Sequence, residues 1–228
     1  MSNSPVFRNY VLAGYPLLWV ETFEEYRAAG QFKAEMEVSK NPYTMYSWDR
    51  VDGVMKMDLN DDRILVSKKL ENHPDEDLSD PMTVLDWAGR SPTKGGMSEY
   101  SILLLKDYHH YVKKDPTARK IRNLLSILKS CGKVLAILSP VIDIPREIEK
   151  DITVIRYKLP TAEDLKTVLR SVCMSAASIM PPSTTAKDLY PKDDGIVLDS
   201  ALGMTTFEAE NAFSVSLVEK KFFDPAVI

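Results

Sequence analysis

Between Leu17 and Tyr157, short apolar runs alternate with longer amphipathic stretches, and this alternation restricts the chain to few folds. Leu17 to Val20, Ile102 to Leu105, Lys133 to Leu138 and Ile152 to Tyr157 are short and rich in branched apolar residues, so they read as buried strands. The stretches between them carry helix punctuation. Thr22 with Glu25 three residues on has the spacing of a capping box, and the helix it predicts runs to about Val38. Asp80-Pro81 and Asp115-Pro116 each place a capping acid before a proline suited to a first helical turn. Ile121, Leu124, Leu125 and Leu128 fall on one helix face, and Gly132 closes that helix. Strand, helix and strand in succession predict an α/β domain with a parallel sheet covered by helices.

The remaining segments fit around this frame. Residues 5–13 read as a short helix ended by Gly14. Tyr43 to Trp48 has strand propensity, and Val54 to Leu59 pairs with Ile64 to Ser67 across an Asn60-Asp61-Asp62 turn. Residues 71–80 are almost wholly polar and read as a solvated loop, and residues 91–98 form a Gly/Pro loop. The pattern changes at Pro160. Thr161 with Asp164 caps a long helix lined by Leu165, Val168, Leu169, Val172 and Ala176, and Pro181 to Thr185 breaks it. Two helices follow, near 195–202 and 206–220, the second opened by Thr205 and Glu208. The expected division is an α/β core over 1–160, a small helical domain over 161–221, and a tail or linker over 222–228. Phe222, Phe223, Val227 and Ile228 make that tail apolar, which suggests docking onto its own body or a continuation.

A hydrophobic share of 44% excludes a disordered chain. The net charge of −4, with both signs interspersed, gives no footprint for general nucleic-acid binding. No apolar run reaches the roughly 18 residues of a membrane span, and Met1-Ser2-Asn3-Ser4-Pro5 does not open a signal peptide. A cytoplasmic, intracellular location is expected. Cys131 and Cys173 lack CxxC spacing and read as buried thiols. His109 and His110 are adjacent, but the third histidine, His73, lies in the acidic loop, so no zinc ligand set is apparent.

Chemistry is suggested where the Ile102 run ends in Asp107, followed by Tyr108. Open α/β sheets bind ligands outside the carboxyl ends of their strands, and a carboxylate there is the kind of group that holds Mg²⁺ in phosphate-handling enzymes. A matching phosphate loop needs glycines that expose backbone N–H groups and a lysine that neutralises charge. The first strand-to-helix turn, Glu21-Thr22-Phe23-Glu24-Glu25, has neither and carries three carboxylates. Thr93-Lys94-Gly95-Gly96 and Gly132-Lys133 lead into strands, not helices, and read as turns.

An ordered series of segments resembles the N-terminal half of Ycf46-like AAA+ ATPases over about residues 6–221. They are residues 15–27 (Tyr15-Pro16-Leu17 through Tyr26-Arg27), Trp48-Asp49 with Gly53, Leu105-Lys106-Asp107-Tyr108-His109, and Arg119-Lys120-Ile121-Arg122-Asn123-Leu124. Leu138-Ser139-Pro140 with Ile144-Pro145-Arg146-Glu147-Ile148, then Tyr157-Lys158-Leu159-Pro160, and residues 203–211 from Gly203 to Asn211 complete it. The resemblance implies a P-loop-NTPase-like parallel sheet flanked by helices, followed by an AAA+ lid-like helical domain. In that family a complete AAA+ domain with its own phosphate loop follows this segment.

The resemblance also implies site residues. Thr22, Asp107 and Ser139 become nucleotide-site candidates, with Asp107 also a metal candidate, and ATP and Mg²⁺ the corresponding ligands. Arg119 and Arg122 become candidates for an interface with a neighbouring subunit or for a phosphate, against the plain alternative of a solvated helix face. Four catalytic parts are missing together. They are the phosphate loop, the acidic base (Tyr108 stands there), an arginine finger (Ile148-Glu149-Lys150-Asp151 stands there), and a lid arginine between Gly203 and Glu219. The expectation is a non-catalytic module without a cofactor of its own. It would serve protein interaction or assembly with a catalytic AAA+ domain or subunit, with homo-oligomerisation open. The alternatives are an atypical ATP-binding or ATP-hydrolysing protein and a stand-alone interaction protein on a borrowed fold.

Overall fold

A computed structural model describes residues 6–38, 42–61, 64–70, 76–181, 183 and 185–228. The chain divides into two compact units, one ending at Tyr157 and the other running from Lys158 to Ile228. In the first unit α1 (Val6–Leu12) leads through Gly14, at φ +78°, to β1 (Leu17–Glu21), α2 (Glu25–Glu37), β2 (Thr44–Asp49), β3 (Gly53–Leu59) and β4 (Leu65–Lys69). Next come α3 (Pro81–Gly89), a 3₁₀ turn at Pro92–Lys94, β5 (Ser101–Lys106), α4 (His109–Val112), α5 (Thr117–Ser130), β6 (Lys133–Ser139) and β7 (Thr153–Arg156).

The seven described strands form one sheet in the order β4-β3-β2-β5-β6-β1-β7. The five from β2 to β7 in that order run parallel, as the apolar runs predict. The hairpin of β3 and β4 extends the sheet antiparallel, so the sheet is mixed and not purely parallel. Alternate residues of each strand enter opposite layers. Leu17, Trp19, Leu103, Leu105, Leu135 and Ile137 face a core closed by α3, α5 and Ile148. Leu18, Val20, Ile102, Leu104, Ala136 and Leu138 face the core under α1 and α2. Both faces are covered, which is why these strands read as continuous apolar runs and not as alternating ones.

Three local expectations change. Thr22 and Glu25 do not form a capping box: α2 begins at Glu25, and no side chain caps it. Asp80 caps α3 as expected, accepting from the Met82 and Thr83 amides at 2.9 Å each, but Asp115 does not cap α5, whose N-cap is Pro116 after a cis bond. The polar loop before α3 is not wholly solvated. Leu78 is buried, and its carbonyl accepts from Trp48 Nε1 at 2.7 Å; residues 71–75, His73 among them, lie outside the described set, as do residues 1–5, Asp62, Pro182 and Thr184.

The second unit contains α6 (Ala162–Ile179), α7 (Ala186–Leu189), α8 (Gly195–Ser200) and α9 (Thr206–Lys220). Its core joins Leu165, Leu169, Val172 and Cys173 of α6 to Val197 and Leu198 of α8 and to Ala209, Phe213 and Leu217 of α9. The apolar end of the chain packs into this same core through Phe223, edge-on to Phe213 with ring centroids 6.0 Å apart. Ser216 ties the turn down, its hydroxyl accepting from the Asp224 amide at 2.7 Å.

Candidate functional site

The strand order locates a crevice. From β1 the chain crosses by α2, in one layer, past β6 and β5 to β2. It returns through α3 and α5, in the other layer, to β5 and β6. The connections therefore diverge between β1 and β6, and in such sheets ligands bind outside the carboxyl ends of the strands at that switch point. Register brings Glu21 opposite Ser139 on one side and Arg156 on the other.

Thr22 sits immediately beyond β1, and its amide and hydroxyl are both committed. Its amide donates to the Ser139 carbonyl at 2.9 Å, which extends the β1–β6 ladder by one residue. Its hydroxyl accepts from the Glu24 amide at 2.9 Å. The side chain is buried. Glu24 in turn holds Arg27, at 3.0 Å from Nε and 2.6 Å from Nη2, and the Arg27 guanidinium lies 4.5 Å over the Tyr157 ring. Glu21 pairs with Arg156 at 3.1 Å. Ser139 is fully buried and closes its own turn, donating to the Val141 carbonyl at 2.8 Å and accepting from the Val141 amide at 3.2 Å.

Asp107 takes the left-handed conformation, φ +51°, where the chain turns from β5 into α4. Aspartate tolerates that region better than most residues. Its amide donates to the Leu138 carbonyl at 3.0 Å, and its side chain is 60% exposed, 3.7 Å from His109 Nδ1. Tyr108 points the other way. It is buried, its hydroxyl donates to the Pro81 carbonyl at 2.6 Å, and its ring packs edge-on to Trp48. The residue standing where a catalytic base would follow Asp107 is thus a core side chain.

The electrostatics of the crevice are dominated by acid. Burial, then the negative charge of Asp107, push the Glu25 carboxyl up to about 7; Lys106 pulls it down, and Asp49 adds to the rise. Lys106 lies 3.7 Å from Asp49. Burial, then the charge of the neighbouring His110, lower the His109 pKa, against the opposing pull of Asp107 and Asp143. Sequence reasoning singled out Asp107, Thr22 and Ser139 here but not the Glu25–Asp107 pairing. Glu25 reads as a cap partner in sequence, and only the sheet order, with β6 between β1 and β5, puts it within reach of the Asp107 charge.

A triphosphate needs free backbone N–H groups and a cation at this turn. The Thr22 and Glu24 amides are spent on internal partners, and the negative charge of Asp107 adds to the burial that raises the Glu25 carboxyl. These residues do not fit a nucleotide phosphate chain. Among the described residues, no group of three His, Cys, Asp or Glu side chains is placed to hold a metal ion, so Asp107 has no co-ligands of that kind.

Arg119 and Arg122 belong to another place. They line a hollow of about 440 Å³ with Lys113, Lys114 and Glu147, and Thr22, Asp107 and Ser139 take no part in it. Arg122 Nε is 3.7 Å from Asp151.

A family model described as the SpoVK-like AAA ATPase N-terminal domain matches residues 4–157. The AAA domain-containing protein ycf46 of Guillardia theta is 24% identical over 229 residues, covering 97% of this chain and 41% of that protein. Its counterpart in Trieres chinensis is 26% identical, covering 92% of this chain and 40% of that protein. The chain thus spans about two fifths of the length of these relatives. Among solved structures, that of C. elegans PCH-2 superposes with a TM-score of 0.52 at 9% identity, over 99% of this chain and 61% of that one, a likeness of fold alone.

Proposed function

The chain belongs to the SpoVK-like AAA ATPase family through its N-terminal domain, and from that premise we propose that it is a non-catalytic AAA+-like module that serves protein interaction, assembling with a catalytic AAA+ domain or subunit. The observation that carries this reading is the β1–α2 turn. Where the fold would hold phosphates, the Ser139 carbonyl takes the Thr22 amide, the Thr22 hydroxyl takes the Glu24 amide, and the turn offers the carboxyl groups of Glu25 and Asp107 with neither glycine nor lysine. The inward turn of Tyr108 supports it, because the residue that follows Asp107 is a core side chain and not a carboxylate. The second unit supports the interaction role. Phe207, Val218 and Phe222 of α9 and the turn after it are each more than half exposed, apolar side chains that a partner protein could cover.

Isothermal titration of the chain with Mg²⁺–ATP tests the proposal. The expected outcome is no saturable heat up to millimolar nucleotide. Micromolar binding that disappears in Asp107→Ala would replace this reading with that of an atypical nucleotide-binding AAA+ protein.

A further inference from the structure

The corner where α4 passes into α5 brings four cations together among four carboxylates. Lys113, Lys114, Arg119 and Arg122 line the hollow of about 440 Å³ between the start of α5 and the Pro145 turn, against Asp115 and Glu147. Two of the four cations are already engaged: Lys113 with Asp143, and Arg122 with Asp151. Among the described residues the Arg119 guanidinium has no hydrogen bond or ion pair. The Lys114 ammonium meets the Tyr111 ring, 5.0 Å from its centroid. No side chain caps α5 at this end, so the positive pole of a 14-residue helix adds to the same field. The only apolar lining comes from Ala118 and Pro145, which offers no wall on which a nucleobase or another flat apolar group could stack.

We propose that this hollow docks an acidic peptide segment of a partner protein, with its carboxylates meeting Arg119, Lys114 and the first turn of α5. The proposal rests on the module's role in interaction and names the chemistry of the partner. A guanidinium presents a planar fork of donors that matches a carboxylate in two-point contact. Because Lys113 and Arg122 are paired with carboxylates, the charge open to an acidic segment at this corner is that of Arg119 and Lys114.

Fluorescence anisotropy of a labelled hexaglutamate peptide with the full 228-residue chain tests it. Binding is expected at low salt, weakened roughly tenfold or more by the double reversal Lys114→Glu with Arg119→Glu, the loss of about one charged contact. Lys68→Glu with Lys69→Glu, on the edge strand β4, is expected to leave it unchanged. Arg119→Lys, which keeps the charge and removes the fork, is expected to fall between wild type and the double reversal. Circular dichroism of each variant confirms folding, since all of these side chains lie on the surface. Absence of peptide binding overturns the proposal, and so does equal weakening by both double reversals, which means diffuse charge attraction. Displacement of the peptide by inorganic phosphate at equal concentration also overturns it, in favour of a small-anion site. None of these outcomes touches the non-catalytic reading, which stands or falls on the nucleotide titration.

Discussion

Burial of the Glu25 carboxyl beside Asp107 ties the stability of the first unit to pH. A carboxyl held up to about 7 in the fold, above its usual value of 4.5, favours folding in its neutral form. Its contribution is fully present below the unfolded value and is lost as pH rises through about 7. Asp80, whose carboxyl is held down by the amides it caps, stays ionised throughout that range. His109, also held below its usual value, acts in the opposite sense but only under acid conditions. The thermal midpoint is therefore expected to fall between about pH 4.5 and pH 7 and to level off above that, and Glu25→Gln to flatten that slope. An unchanged slope in the variant would show that Glu25 titrates as an ordinary surface carboxylate.

Lys133 is the second residue whose role no sequence pattern shows. In sequence it opens an apolar strand behind a glycine. In the structure it is buried, and its ammonium donates to the Ala88 and Arg90 carbonyls at 3.0 and 2.8 Å, closing the carboxyl end of α3. Burial lowers its pKa. Lys133→Met matches its length but leaves two carbonyls without that donor. A loss of roughly 2–3 kcal/mol is expected in urea denaturation, and a loss near zero would mean that water replaces the ammonium.

At the scale of elements, capping residues were legible where local geometry alone decides them. Thr161 with Asp164 and Thr205 with Glu208 form reciprocal boxes at the starts of α6 and α9, as their spacing predicts. Thr185 with Asp188 forms a third, opening the short helix α7 in a stretch that reads as a break. Thr205→Ala is expected to cost about 1 kcal/mol in chemical denaturation, the worth of such a cap. Thr22 has the same spacing and fails for a tertiary reason. The β1–β6 ladder keeps its amide on Ser139, so the chain is still extended at Thr22 and the helix starts three residues later. A similar limit applies to the sheet. The hairpin signal around residues 60–62 was plain, but apolar runs carry no strand direction, so the antiparallel join of β3 to a parallel sheet was not readable.

On the scale of the whole molecule, the non-catalytic reading predicts the absence of a ligand effect. A nucleotide at a hundred times its Kd stabilises a fold by about 2.7 kcal/mol, which a melting curve resolves easily. Mg²⁺–ATP at millimolar concentration is expected to leave the thermal transition of the chain in place. An upward shift of several degrees would mean that the crevice at β1 and β6 admits phosphates in spite of its carboxylates.

The sequence by itself determined the α/β core, the helical unit after it, and the lack of glycine and lysine at the first strand-to-helix turn, because periodicity, capping chemistry and side-chain size are local properties. Tertiary structure alone decided three further points: Tyr108 turns into the core, the charge of Asp107 reaches Glu25, and Arg119, without an ion pair among the described residues, lines a hollow far along the chain from Thr22. Each of these depends on which strands lie side by side and on which layer a helix covers, and those choices are made by the burial of the whole sheet, not by any one segment.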